Sequence, residues 1–421
     1  MELFFEPTVI IAIACILGFF TAWGIGANDV ANAMGTSVGS KALTLKQAVI
    51  IAAIFEFLGA FLAGGGVTDT IRKEIVDPNI YQDNVNIFII GMMSTLLAAG
   101  SWLYIASRKG WPVSTTHSIV GAIIGFVWVT KGGDAISWDK VTEIGSSWIT
   151  SPILSGVIAF LIFFSIKKLI FDSDKRSTMA IRLIPVYVTI LLFVILQVTF
   201  QKGLKYVEVD LTDVQSLYIS VFGSIFLGII SFFYLRIKQE IINSRGGIEV
   251  AFSLLMVVAA CAMAFAHGSN DVANAIGPLA AIVSAVGDGG LGAESKLNIW
   301  ILLLGGIGIV FGLATYGHKV IKTVGKKITK LTPSFGFSAN LATASTVVFA
   351  SYLGLPISTT HTLIGGVIGV GLAHNAKKLN LKVILNIFMS WIITIPVGAA
   401  FTIMFYSLIR ALLITFGVEN V

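Results

Sequence analysis

The polar residues best suited to chemistry occur in two motifs, and each motif appears twice in the chain. The first runs from Gly26 to Ala33, and seven of its eight residues recur between Gly268 and Ala275. Carboxylate, amide and backbone carbonyl oxygens are the ligands that a hard cation such as Na⁺ needs once its water is removed. Paired carboxylates would also suit a proton relay, and the residue types alone do not separate the two. We predict a cation-binding or coupling role for Asn28, Asp29, Asn32, Asn270, Asp271 and Asn274.

The second motif, Pro-x-Ser-Thr-Thr-His, runs from Pro112 to His117 and recurs from Pro356 to His361. Each copy precedes a glycine-rich apolar run. A proline and Ser or Thr before such a run predict the N-terminus of a helix. The free N–H groups and the positive end of a helix dipole bind anions without any basic residue, and nearby hydroxyl groups add donors. The other interpretation is that these hydroxyl groups only cap helices or link them. The anion-binding candidates are Ser114, Thr115, Thr116, Ser358, Thr359 and Thr360.

Glu56 and five histidines complete the candidate list. Glu56 lies in an apolar run and has no acidic counterpart later, because no Asp or Glu occurs between Glu294 and Glu419. His117 and His361 occupy matching places, where they would donate to an anion, accept a proton or make a structural hydrogen bond. We interpret the unmatched histidines as structural: His267, His318 and His374.

The sequence carries no enzyme signature. Neither a HExxH zinc motif nor a GxxxxGK[ST] phosphate loop is present. A Ser and a His stand three residues apart in the second motif, but a helix start explains both without a catalytic acid. We therefore expect a chain that is not an enzyme and has no cofactor.

Composition places these motifs in a membrane. The 421 residues are 56% hydrophobic and only 12% charged, about half the charged fraction of soluble domains. This excludes a soluble enzyme, a disordered chain and a secreted disulfide scaffold. The net charge of +6 lies in short basic clusters between apolar runs, so it favours cytoplasmic loops over a nucleic-acid partner. We predict an all-α polytopic protein in a lipid bilayer, with about twelve transmembrane helices.

The repeated motifs indicate an internal duplication with inverted halves. A third echo, Ser147-Trp148-Ile149 and Ser390-Trp391-Ile392, keeps nearly the same offset. The predicted segments are a first repeat (1–166), a central helix hairpin with cytoplasmic loops (167–247) and a second repeat (248–421). Basic residues favour the cytoplasmic side, and the order of basic and acidic loops is reversed between the repeats. In the first repeat, a basic loop with Lys41 and Lys46 is followed by a mainly acidic loop at residues 69–84. In the second repeat, a loop with Asp288, Glu294 and Lys296 is followed by a basic loop at residues 319–330.

Counting through this topology places both termini outside the cell. The two Pro-x-Ser-Thr-Thr-His segments are expected either to span the membrane or to form re-entrant or broken helices, as in transporters whose substrate lies at the midplane between inverted repeats.

Both duplicated motifs resemble those of the inorganic phosphate transporter (PiT) family of sodium- or proton-coupled phosphate symporters, over nearly the whole chain. The resemblance implies import of inorganic phosphate in symport with sodium ions by alternating access. It assigns the coupling ion to Asp29 and Asp271, the phosphate to Ser114–Thr116 and Ser358–Thr360, and a supporting role to Glu56. A proton-coupled or metal-phosphate symporter and a passive anion channel are the alternatives.

Two departures from the family pattern stand out. Several members carry a glutamate shortly before each Pro-x-Ser segment, where this chain has Met92 and Asn340. The long polar loop of animal members is reduced to about Arg236–Glu249, which resembles prokaryotic members and implies an inner or plasma membrane location. Whether copies of the chain form a homo-oligomer is left open by the sequence.

Overall fold

The chain folds into α-helices, and the part of it that the structure describes contains no β-strand. A computed structural model describes residues 3–201, 211–244, 246–287, 291, 297–321, 331–375 and 381–418. Short 3-10 helices at Pro78–Tyr81 and Gly133–Ala135 and a π-helical turn at Lys167–Phe171 join some of the α-helices. The α-helices, numbered along the chain, are α1 (Pro7–Gly39), α2 (Leu45–Ala63), α3 (Gly65–Lys73), α4 (Val85–Lys109), α5 (Thr115–Lys131), α6 (Trp138–Ile166), α7 (Arg176–Gln201), α8 (Asp213–Ile237), α9 (Gln239–Asn243), α10 (Gly247–Asp271), α11 (Ala273–Val286), α12 (Ile299–Thr315), α13 (Pro333–Tyr352), α14 (Thr359–Asn375) and α15 (Leu381–Thr415).

Eight helical segments among the described residues are long and apolar enough to cross a membrane. The all-helical polytopic architecture predicted from the sequence is therefore confirmed. The number of twelve crossings stays a prediction, because shorter apolar helices such as Ile299–Thr315 are not among the eight. The helices α5 and α14 have 17 residues each, so they are about 25 Å long, and their first turns are buried in protein instead of facing lipid. The eight segments are Pro7–Gly39, Leu45–Ala63, Val85–Lys109, Trp138–Phe171, Arg176–Gln197, Asp213–Ile237, Gly247–Val286 and Phe388–Thr415.

The helices of the two repeats pack against one another in a reciprocal pattern. The helix α1 packs on α12 and α4, as α10 packs on α2 and α13. In the same way α5 lies against α15, and α14 lies against α6. Each repeat thus places its first helix against the second helix of the other repeat. Helices of the two repeats therefore pack extensively against one another. The repeat boundaries at residues 166 and 248 stay a prediction.

The central hairpin is peripheral. Helix α8 packs on α7 and the short α9, and α7 in turn contacts α10 and α13. The buried face of α8 carries Ser216, Ser220, Ser224 and Gly228, which recur every four residues and let the two helices approach closely. The opposite face presents large apolar side chains to the surroundings, including Tyr218, Phe222 and Phe226. This is the distribution expected for a helix that touches lipid on one side.

Several residues that carried the orientation argument lie outside the described residues. These are Asp288, Glu294, Lys296 and the basic run at 322–330. The two remaining basic segments, at the end of α6 and around α9, meet at one end of the molecule, where the Ser177 hydroxyl donates to the Ile242 carbonyl over 3.3 Å.

Candidate functional site

The two copies of the Asn-Asp motif lie on helices that meet in the core. The first copy lies within α1, whereas the second copy lies where α10 and α11 meet at Val272, whose backbone angles stay helical (φ −56°, ψ −33°). Asp29 and Asp271 are both buried, at 1% and 0% exposure. The structure therefore brings together the two carboxylates that the sequence predicted as partners.

His267 lies between the acidic side chains. Its Nε2 is 3.0 Å from Asp271 Oδ2 and 3.9 Å from Asp29 Oδ2. Its Nδ1 is 3.4 Å from Glu56 Oε2. Candidate ligand atoms of Asp29, His267 and Asp271 all lie within 4.8 Å of one another. We name this set of four side chains, Asp29, Glu56, His267 and Asp271, the acidic cluster.

Most polar atoms of the acidic cluster have no hydrogen-bond partner among the described residues. This holds for both carboxylate oxygens of Asp29, both of Glu56, Oδ1 of Asp271 and both ring nitrogens of His267, whose contacts are close but not aligned as hydrogen bonds. Burying a carboxylate without a partner is costly. Three carboxylates and one imidazole in a buried core therefore make a site that favours cations.

Two glycines shape the approach to the second motif. Helices α4 and α13 end at Gly110 and Gly354, which have positive φ angles of 67° and 72°. This left-handed conformation suits glycine, and it ends a helix sharply. A proline follows two residues later in both copies, at Pro112 and Pro356. The chain is thereby turned into the centre of the molecule before α5 and α14 begin.

Ser114 and Ser358 cap the helices α5 and α14. The Ser114 Oγ accepts from the backbone N–H of His117 over 3.2 Å, and the Ser358 Oγ accepts from His361 over 3.3 Å. The N–H groups of the first helical turn have no partner inside the helix. Each copy thus presents the start of a helix, as the sequence predicted.

The two helix starts are linked to each other. The Thr116 hydroxyl donates to the Ile357 carbonyl over 2.9 Å, and the Thr360 hydroxyl donates to the Val113 carbonyl over 3.2 Å. These hydroxyl protons are used inside the protein. The linking interpretation therefore describes these two threonines, and an anion between the helix starts would bind mainly backbone N–H groups.

The second asparagine of each motif crosses to the other repeat. Asn32 Nδ2 lies 3.3 Å from Thr359 Oγ1 and 2.8 Å from Thr360 Oγ1. Asn274 Nδ2 lies 3.3 Å from both Thr115 Oγ1 and Thr116 Oγ1. Each cation motif is thereby fixed to the helix start of the opposite repeat.

The first asparagine of each motif instead holds its own repeat. Asn28 donates to the Trp111 carbonyl over 3.0 Å and accepts from the Val113 N–H over 3.2 Å. Asn270 donates to the Leu355 carbonyl over 3.1 Å. These hydrogen bonds position the segment that leads into each helix start. The side-chain amides of Asn28 and Asn270 therefore stabilise the fold within their own repeat.

A short hydrogen bond joins the second helix start to the acidic cluster. The Thr359 hydroxyl donates to Asp271 Oδ2 over 2.7 Å. Neither oxygen of Asp29 accepts a hydrogen bond of this geometry among the described residues. The acidic cluster, a candidate cation site, therefore lies next to the helix starts, a candidate anion site. The Thr359–Asp271 hydrogen bond connects the two sites in the second repeat.

His117 and His361 lie behind the helix starts, away from the acidic cluster. Their rings are 4.4 Å apart between centroids, with Trp148 3.8 Å from His117 and Trp391 3.4 Å from His361. The Nδ1 atoms lie 3.3 Å and 3.5 Å from the carbonyl oxygens of Trp391 and Trp148. The third sequence echo, which contains the two tryptophans, thus supports the histidines of the opposite repeat.

Sequence reasoning missed His267, which we had interpreted as structural because it has no counterpart. A signal was present, because His267 and Asp271 are four residues apart, and residues at this spacing face each other on a helix. His318 and His374 are not part of the acidic cluster.

The structure shows what Met92 and Asn340 contact at the positions where several family members carry glutamates. Asn340 accepts from the Thr36 hydroxyl over 2.8 Å and donates to the Ala33 carbonyl over 3.3 Å, whereas Met92 is buried. Asn340 therefore fixes α13 to α1, and Met92 is part of the apolar core.

Comparisons with known proteins identify the family of the chain. A model described as "Phosphate transporter family" matches residues 25–402. A Haemophilus influenzae protein assigned as a phosphate permease is 50% identical over 407 residues, covering 95% of this chain and 96% of that protein. The Arabidopsis thaliana protein "Inorganic phosphate transporter 2-1, chloroplastic" is 41% identical, over 93% of this chain and 70% of that protein. A solved structure, "The sodium-dependent phosphate transporter", superposes with a TM-score of 0.89 at 38% identity and covers 96% of this chain and 99% of that one.

Proposed function

The chain belongs to the phosphate transporter family, a multi-pass membrane protein that is not an enzyme, and we propose that it imports inorganic phosphate together with sodium ions. Phosphate as the substrate rests on the family. Sodium as the coupling ion is our proposal, supported by the acidic cluster and by the similarity to a sodium-dependent transporter. We propose no resident cofactor, because sodium is carried as cargo.

The observation that carries the proposal is the meeting of two helix starts beside buried carboxylates, most of whose oxygens accept no aligned hydrogen bond among the described residues. An anion between the starts of α5 and α14 would accept hydrogen bonds from backbone N–H groups of both repeats. Cations at Asp29 and Asp271 would offset part of the negative charge of both the carboxylates and the anion. Each binding event therefore reduces the cost of the other, which is the physical basis of symport.

Charge balance also sets the driving force. Divalent phosphate would be costly to hold alone at membrane depth, and two sodium ions beside it would cancel its charge. Any further positive charge that moves inward gains about 2.3 kcal/mol per 100 mV of membrane potential. We propose alternating access as the mechanism, with the bound site exposed first to one side of the membrane and then to the other.

The test is uptake of labelled phosphate into proteoliposomes that contain the full chain. One sample has an inward sodium gradient, a second has potassium in place of sodium, and a third has an inward proton gradient. We expect accumulation above the external concentration with sodium alone. Accumulation with protons alone would make the acidic cluster a proton relay, and flux without accumulation would indicate a channel.

We also propose a location in the inner or plasma membrane with both termini outside. The support is that the basic segments at the end of α6 and around α9 lie at one end of the molecule, as cytoplasmic loops would. Single cysteines placed at either terminus should react with an impermeant thiol reagent in whole cells. Protection of both termini would reverse the proposed orientation.

A further inference from the structure

The two repeats are nearly equivalent in the core, which makes their differences visible. The helices α1 and α12 touch where a Cβ on Gly26 would lie 1.9 Å from the Ile309 carbonyl oxygen. The helices α10 and α2 touch in the same way, since a Cβ on Gly268 would lie 2.1 Å from the Glu56 carbonyl oxygen. Gly26 and Gly268 are matching residues of the duplicated motif. Ile309 and Glu56 therefore occupy equivalent positions.

A second pair of equivalent positions follows directly. Ile25 precedes Gly26, and His267 precedes Gly268. The second repeat's aspartate thus has His267 four residues before it and Glu56 across the helix contact. The first repeat's aspartate has two isoleucines in the same places, and Ile25 and Ile309 are fully buried.

This difference leaves the two aspartates with unequal surroundings. Asp271 Oδ2 already has the Thr359 hydroxyl at 2.7 Å and His267 Nε2 at 3.0 Å, so only its Oδ1 is without a partner. Neither oxygen of Asp29 accepts an aligned hydrogen bond among the described residues, and its Oδ2 lies 3.9 Å from His267 Nε2. A cation at Asp29 therefore meets two oxygens without an aligned donor, whereas a cation at Asp271 competes with the Thr359 hydroxyl and with the closer His267 imidazole.

We propose that Glu56 and His267 are positioning residues that make the two sodium sites unequal, so that sodium binds first and more tightly at Asp29 and second and more weakly at Asp271. Glu56 acts through His267, whose Nδ1 lies 3.4 Å from its carboxylate. The inference rests on the proposed function, because it assigns an order to the coupling ions of the same site.

The experiment measures binding of radioactive sodium to the purified full chain in detergent, without phosphate. For the unmodified protein we expect two binding phases, separated by about tenfold or more in sodium concentration, which corresponds to about 1.4 kcal/mol. Asp29→Asn should remove the tighter phase, and Asp271→Asn should remove the weaker phase. Removal of the opposite phase by each variant would overturn the assignment.

The decisive variant places the isoleucine pair of the first repeat in the second, as Glu56→Ile with His267→Ile. We expect its two phases to approach within about threefold of each other, mainly because the weaker site tightens. A merely structural role would shift both phases together. The matched control is Ile25→Val with Ile309→Val, which should leave the separation unchanged.

A less disruptive variant keeps the proposal testable if the double variant does not fold. His267→Gln removes the imidazole from between the aspartates, and it should narrow the separation of the phases. An unchanged separation in either folded variant would overturn the proposal. So would a single phase in an unmodified protein that shows sodium-driven uptake, whereas loss of sodium-driven uptake itself would overturn the proposed function.

Discussion

Single buried residues make up the candidate binding site of this protein. The carboxylates of Asp29 and Glu56 lie in the core without a hydrogen-bond partner among the described residues. An unpartnered buried charge destabilises a fold unless a ligand compensates for it. We therefore expect the acidic cluster to lower the stability of the fold until a cation binds there.

The first prediction concerns the two aspartates. Asp29→Asn and Asp271→Asn should each reduce sodium-dependent phosphate uptake by about tenfold or more, since a lost interaction with a charged group costs about 1.5–3 kcal/mol. In sodium-free buffer Asp29→Asn should unfold at a higher temperature than the unmodified protein, because a buried charge is removed. Proteoliposome uptake and thermal unfolding measure the two effects. The exposed Asp213→Asn is the control, and equal uptake by all three variants would refute the assignment.

The second prediction concerns the threonines that link the helix starts. Thr116→Val removes the donor to the Ile357 carbonyl and the partner of Asn274, so it should lower the free energy of unfolding by about 1–3 kcal/mol. Thr360→Val should act similarly. Both should also raise the phosphate concentration for half-maximal uptake, because the helix starts are no longer held together. Thr415→Val, at the exposed end of α15, should change neither quantity, and the linking role fails if the core variants behave like it.

At the residue scale the sequence predicted many of the residues that the structure brings together. Duplication in matching order identified both aspartates, all four asparagines and both Ser-Thr-Thr segments. It did not predict His267, because symmetry was used to rank histidines and His267 breaks the symmetry. Nor did it show that the hydroxyl protons of Thr116 and Thr360 are used within the protein, which depends on contacts between residues about 240 positions apart.

At the scale of helices, close packing depends on particular glycines. Gly26 of α1 faces the backbone of α12, and Gly268 of α10 faces the backbone of α2. A methyl group at either place would overlap a carbonyl oxygen. Backbone atoms cannot rotate away as a side chain can, so these contacts tolerate no larger residue.

The third prediction tests these contacts. Gly26→Ala and Gly268→Ala should each destabilise the protein by about 1–3 kcal/mol or more, the usual cost of overpacking. Gly145→Ala in α6 is the matched control, since a Cβ there meets nothing within 4 Å. That substitution should stabilise the helix by about 0.5–1 kcal/mol. Thermal unfolding in detergent measures the sign, and a loss of stability in all three variants would contradict the argument.

Helix starts were easier to predict than membrane crossings. Proline followed by serine and threonine marked the beginnings of α5 and α14 because capping is local. The number of crossings depends on which helices contact lipid and which are covered by protein, and hydropathy does not distinguish them.

Across the whole molecule, the transport site and the central hairpin are separate. The small-residue face of α8 packs on α7, and a Cβ on Gly228 would lie 2.0 Å from Thr189 Oγ1. Helix α8 makes none of the site's hydrogen bonds described above. The hairpin should therefore affect stability and not substrate binding.

The fourth prediction follows from that separation. Gly228→Leu should separate α8 from α7 and lower the unfolding temperature, while the phosphate concentration for half-maximal uptake stays unchanged. Phe226→Leu, on the exposed face of α8, should alter neither. The comparison uses thermal unfolding and proteoliposome uptake on the same preparations. A changed half-maximal concentration in Gly228→Leu would show that the hairpin reaches the site.

The bonds that cross between repeats also constrain how the protein is made. Asn32 is bonded to Thr360, 328 residues later in the chain. At usual translation speeds the ribosome needs roughly 15–65 seconds to synthesise that stretch. During this interval the first repeat is already in the membrane, with its aspartate and asparagine lacking their final partners. The nascent chain therefore has to keep a half-built polar site shielded from lipid until the last third of the protein is inserted.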